Sequence, residues 1–189
     1  MLYELKPGNS WLEVTPSVIR YLWRTGAEYS RIQGRSCPAF TFALGESHPI
    51  YEPFIERLAH IRPSYAWYLR VADLPGFIKH IAPALEKRLA LSIAPGYSGE
   101  KCVSFYRDGL RLTFNNGRLL GVEPWKPGPK ELEGHIAFPG LTFLQLLFGY
   151  RSLEELAKSF ADCWWDTNET RALFNALFPK NPSQVYPVS

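Results

Sequence analysis

YAWYLRVADLPGFIKHIAPALEKRLAL, residues 65–91, is the stretch from which the rest of the chain is read. Trp67, Leu69 and Val71 alternate with Tyr68 and Arg70, which predicts a strand over 67–71. Asp73 is a helix-capping residue, and Pro75 stands where a first helical turn tolerates a missing N–H. Phe77, Ile78, Ile81, Ala82, Leu85 and Leu89 then recur at helical spacing, leaving Lys79, His80, Glu86, Lys87 and Arg88 for solvent. Pro83 falls inside that pattern and crowds the carbonyl of Lys79. A kink or two abutting helices is the expected result.

Downstream, 101–106, 110–114 and 118–123 read as three strands joined by RDG and NNG. Short Asn/Asp–Gly connections favour tight hairpins because those residues take positive φ at low cost. An antiparallel meander follows. The proline-rich segment 124–133 reads as an exposed loop, and 141–149 as a helix apolar almost all round. Ser152 with Glu155, and Asp166 with Glu169, have capping-box spacing and open helices over 153–160 and 170–178. Upstream, Thr15–Pro16 predicts a helix start after a short strand at 11–14, with Gly34 ending the helix. Phe40, Phe42 and Leu44 predict a strand over 39–44. Ile50, Phe54, Ile55 and Leu58 predict an inward helix face over 50–61, and a proline-marked linker follows at 62–64.

The chain has 189 residues, 46% hydrophobic and 15% aromatic, which is globular composition for one sizeable core or a domain and a partial one. Net charge is only +3, with Lys and Arg scattered among acids, which argues against nucleic acid as a partner. Cys37, Cys102 and Cys163 are far apart and outside any metal-like spacing, so reduced, mostly buried thiols in a cytoplasmic protein are expected. The N-terminus has no secretory pattern, and the longest apolar block, 136–150, falls short of the ~20 residues of a membrane span. HExxH, a CxxC pair, GxSxG and the phosphate loop do not occur, and no metal site is expected.

WYLRVADLP (67–75) followed by an amphipathic helix, the hairpins after it, and FPGLTFLQLLFGYRSLEEL (138–156) together resemble a known domain. It is the sterol-carrier-protein-like domain that closes GNAT-type N-acetyltransferases of the enhanced-intracellular-survival kind. The resemblance covers roughly 64–189, which makes 1–63 the C-terminal remnant of an acetyltransferase-like domain. It implies an antiparallel sheet with helices on one face. Gly45–Phe54, with its Ile50–Tyr51 pair, resembles the closing part of the acetyltransferase core, where such a tyrosine is the general acid; Tyr51 is the matching position. His48–Pro49 and Glu52–Pro53 replace the glycines found around that tyrosine. The resemblance also implies that the terminal carboxylate, here that of Ser189, acts as a base. The glycine-rich acetyl-CoA loop is missing, so no cofactor is expected in this chain alone. Acetyl-CoA would enter with an acetyltransferase half supplied by another chain or by absent N-terminal residues.

Sterol-carrier-like domains bind lipids and acyl groups in an apolar tunnel. Trp67, Phe105, Tyr106, Phe114, Phe138, Phe143, Leu147 and Phe148 are the residues spaced to line one here, unless they simply fill the core. Trp125 and Trp164–Trp165, flanked by polar and turn residues, are the expected partner-facing patch. An unpaired edge at 39–44 would favour a homo-oligomer or an acetyltransferase partner. The expected fold is α+β, an antiparallel sheet with helices on one face behind a helix–strand–helix remnant. The expected function is a non-catalytic scaffold, substrate channel or apolar-ligand module. Part of an N-acetyltransferase site, or a protein-interaction module, are the alternatives.

Overall fold

The computed structural model describes residues 4–44, 48–58, 60, 68–126 and 135–181. They form two compact units, one up to His60 and one from Tyr68 to Asn181. The expected junction after residue 63 lies outside the described residues.

In the first unit, α1 (Trp11–Gln33) begins a turn before Thr15–Pro16 and absorbs the expected strand at 11–14. The apolar stripe explains this, since Trp11, Val14 and Thr15 continue the spacing of Val18, Ile19 and Leu22 toward the N-terminus. Pro16 then lies inside the helix and costs it one backbone bond near the start. Gly34 ends α1 at φ 64°, where it places its N–H on the Ser30 carbonyl. The expected helix over 50–61 is a 3₁₀-helix, Pro49–Arg57, with Pro53 inside it. Three residues per turn do not gather the apolar positions on one side: Ile50 is buried and Ile55 is exposed. Residues 39–44 form no strand, which corrects the expected helix–strand–helix order. A strand needs a neighbour for its N–H and C=O groups. Here the Tyr51 hydroxyl donates to the Phe42 carbonyl (3.1 Å) and accepts from the Leu44 N–H (3.2 Å).

The second unit is α+β. Tyr68 to Val71 form no strand either; Tyr68 is exposed, with the Arg70 guanidinium 4.8 Å from its ring centroid. Asp73 caps α2 (Leu74–His80) by accepting from the Gly76 N–H at 3.0 Å. Helix α3 (Ala82–Ala90) follows after Ile81 alone, so Pro83 breaks the pattern into two abutting helices. Strands β1 (Gly99–Ser104), β2 (Gly109–Asn115) and β3 (Arg118–Trp125) are the expected antiparallel meander.

The sheet as a whole is mixed, not antiparallel. A short β4 (Ile136–Ala137) lies parallel to β1, and β5 (Trp164–Trp165) closes the order β3-β2-β1-β4-β5. The physical reason is placement: β4 takes the edge of β1 that the meander leaves open, at Val103 and Ser104. Two residues carry no alternation, and Ile136 and Ala137 are both fully buried, as a covered parallel strand requires. Helices α4 (Thr142–Leu147), α5 (Leu153–Ser159) and α6 (Asn168–Leu177) complete the unit. Ser152 and Glu155 make both bonds of a capping box before α5. The α6 cap is Thr167 rather than Asp166 and accepts from the Thr170 N–H. One core joins Ile78, Leu85 and Leu89 of the first helices, Val103, Leu112 and Val122 of the sheet, and Leu173 and Phe174 of α6.

Trp125 is not a partner-facing residue. It ends β3 opposite Gly109 and is 6% exposed. A Cβ at Gly109 would lie 2.8 Å from the Trp125 ring and closer still to the Val103 carbonyl oxygen. The backbone oxygen has nowhere to go, so Gly109→Ala is expected to cost about 2 kcal/mol through overpacking. Urea unfolding checks this, and a cost near zero would mean that the β1–β2 corner can relax.

Candidate functional site

Of the aromatic residues expected to line a tunnel, Phe105, Phe138 and Phe143 pack on one another. Phe143 of α4 lies 5.5 Å from Phe105, 5.3 Å from Phe138 and 5.7 Å from Phe178, centroid to centroid. Phe114, Phe138 and Phe143 are buried, and these spacings are those of aromatic rings in contact. Tyr106 stands apart. It is half exposed at φ 71°, and its hydroxyl donates to the Asp162 carbonyl at 2.5 Å. Trp67 lies outside the described residues.

Leu147 and Phe148 do face a concavity, on the helical side of the unit. Phe77, Ile81, Ala84 and Arg88 are spaced at i, i+4, i+7 and i+11, so they form one stripe running across the α2–α3 break. That stripe and the end of α4 border a groove of about 250 Å³. Phe77 and Phe148 close one part of it with ring centroids 5.6 Å apart. Arg88 borders it too, with Nη1 donating to the Leu177 carbonyl at 2.9 Å. Helical periodicity carries this stripe in the sequence, but the partner residues around 147–149 come from tertiary packing.

Polar side chains converge at a second place, where β1 meets α6. Register puts Lys101 opposite Leu112, on the face that carries the core. Its side chain is 8% exposed and reaches α6, with Nζ 3.0 Å from Thr170 Oγ1 and 3.2 Å from Glu169 Oε1. The ammonium only donates, and the Thr167 hydroxyl gives its proton to Asp166 Oδ1 at 3.2 Å. The Thr167 and Thr170 hydroxyls are themselves in contact at 3.0 Å. A relay Lys101–Thr170–Thr167–Asp166 results, from a buried cation to a carboxylate. Burial raises the Asp166 carboxyl, but hydrogen bonds from Thr170 and Thr167 and the nearby His135 outweigh it and leave the group below its ordinary range. Burial also pushes the Tyr97 phenol up, partly offset by Lys101. None of these residues borders the groove. Their geometry ties β1 to the start of α6, and the sequence concealed it because Lys101 reads as a solvent residue.

The remaining expected sites separate. Tyr51 has its hydroxyl engaged at both ends by backbone of 42–44, an anchoring geometry for that segment. Ser189 lies outside the described residues. Cys37 is exposed, Cys102 and Cys163 are buried, and burial raises the Cys163 thiol. Trp164 and Trp165 are half-buried in β5. Among the described residues no cluster of His, Cys, Asp or Glu is arranged to hold a metal ion, and no helix is long and apolar enough to cross a membrane. No family model, no curated protein and no solved structure matches the chain.

Proposed function

We propose that residues 68–181 form a non-catalytic binding domain of the sterol-carrier-like kind whose ligand is a short alkyl or acyl chain. The observation that supports this reading is the groove between the α2–α3 stripe and Leu147–Phe148, a mostly apolar trough with the Arg88 guanidinium and the Asn181 amide at its border. Pockets for small molecules share that design, apolar walls with few polar anchors, although this one is below the usual ~300 Å³ and takes only part of a chain. Each methylene buried is worth about 0.8 kcal/mol, set against several kcal/mol for association. Binding in the roughly 10–1000 μM range follows.

The test is titration of the full chain with a fluorescent fatty acid, read by emission and by thermal shift. Saturable binding and a raised Tm are expected, since a ligand of the native state stabilises by mass action. Ala84 is exposed at the border of the groove, so Ala84→Trp fills the trough without disturbing the core. It is expected to weaken the probe at least about tenfold, or ~1.4 kcal/mol. Binding unchanged by Ala84→Trp would move the ligand elsewhere and end this reading.

A further inference from the structure

A second concavity, of about 400 Å³, lies between the turn before α5, one face of α5 and the segment after α6. Glu155, Lys158 and Ser159 stand at i, i+3 and i+4 and so share that face. Tyr150 and Arg151 come from the turn, and Lys180 from the segment that follows α6. Three cations thus accompany one carboxylate, and that carboxylate is already engaged. Glu155 Oε2 accepts the Ser152 N–H at 2.8 Å, and Oε1 accepts the Lys180 ammonium at 2.6 Å. Its carboxyl is held below the ordinary range, first by the Lys180 hydrogen bond and then by the Ser152 N–H, with the charges of Lys180 and Arg151 adding to both.

Glu155 therefore serves the helix start and fixes Lys180, which leaves two positive charges in the concavity uncompensated. Among the described residues, neither the Arg151 guanidinium nor the Lys158 ammonium has an ion-pair or hydrogen-bond partner. The Arg151 guanidinium is 5.8 Å from the Tyr150 ring centroid and 6.0 Å from that of Phe160, at the outer reach of a cation–π contact with each. A guanidinium offers the planar fork that matches two phosphate oxygens.

We propose that this concavity is a binding site for a phosphoryl group, taken by Arg151 and Lys158 with Lys180 beside them. Two uncompensated cations match the charge of a phosphate dianion. The group is either free phosphate or the head of an organic phosphomonoester, for which the exposed Tyr150 ring is the surface on which an organic part would rest. None of the six bordering residues borders the alkyl groove, so the two sites stand or fall separately.

The full chain is titrated at low ionic strength with inorganic phosphate and, separately, with phenyl phosphate. Sodium chloride at matched ionic strength is the reference, because exposed charges are screened by any salt. Each phosphate is expected to raise Tm beyond chloride. Arg151→Gln should weaken binding about tenfold and Lys158→Gln about threefold, while Lys87→Gln removes the same charge from α3 and changes nothing. Tighter binding of phenyl phosphate, lost in Tyr150→Ala, would assign an organic monoester; equal affinity would assign free phosphate. Either result supports the site. No shift beyond chloride for both ligands overturns it, as does an equal loss in Lys87→Gln, which reduces the effect to net charge. Should Arg151→Gln fail to fold, Lys158→Gln at its exposed position decides alone, and undiminished binding there also overturns the site.

Discussion

Phe143→Ala is expected to cost about 3–5 kcal/mol and to lower Tm by roughly 10–20 °C. The residue is 2% exposed on α4, and Phe105, Phe138 and Phe178 surround its ring at 5.3–5.7 Å. Removing it opens a void bounded by three rigid rings, which cannot collapse as aliphatic side chains do. Against a total domain stability of about 5–15 kcal/mol, that is a large share. The experiment also separates the two roles that the sequence leaves open for these aromatics. Rings that line an occupied tunnel already face empty or ligand-filled space, so truncating one would cost little and would improve binding of an alkyl probe. Rings that fill a core lose their neighbours outright. Urea unfolding of Phe143→Ala alongside Phe143→Leu gives the answer. A cost below about 1 kcal/mol for the alanine variant, with tighter fatty-acid binding, would restore the tunnel.

The elements that local chemistry specifies were legible. Asp73–Pro75, the two Gly-containing hairpins and the Ser152–Glu155 box each carry their own start or turn signal, and each is found in place. Elements that depend on a distant partner were not. Residues 39–44 alternate as a strand does, yet among the described residues no strand lies beside them and their backbone turns to the Tyr51 hydroxyl. Ile136–Ala137 and Trp164–Trp165 show no alternation at all, and pair because β1 leaves an edge open to one and the first then offers an edge to the other. Candidate sites divide along the same line. The stripe Phe77–Ile81–Ala84–Arg88 is periodic and readable, whereas Trp125 was misassigned because its proline-rich flank suggests a loop, while the ladder with β2 continues through Pro124 and buries it. Lys101 was passed over for the opposite reason: Leu112 across the sheet and Thr170 on α6 could not be seen from its own segment.

That lysine sets up an asymmetry that a single substitution would hide. Lys101 is 8% exposed at its side chain, whereas Glu169, its ion-pair partner, is 67% exposed. Losing the buried member leaves an exposed carboxylate that water can hydrate. Losing the exposed member leaves a desolvated ammonium with only the uncharged Thr170 hydroxyl and Tyr97 phenol oxygens as acceptors. The second loss is the heavier one, because the cost of a broken buried pair is mostly the stranded charge. Glu169→Gln is therefore expected to destabilise by about 3 kcal/mol, and Lys101→Met, which keeps the volume and removes the charge, by less than about 1.5 kcal/mol. In the Lys101→Met background the same Glu169→Gln should fall to within about 0.5 kcal/mol of neutral, as for an ordinary surface change. The double-mutant cycle, measured by urea unfolding, should thus give a coupling of at least about 2 kcal/mol. Equal costs of Glu169→Gln in both backgrounds would mean that the ammonium is hydrated after all, and that the contact between β1 and α6 is held by the threonine hydroxyls alone.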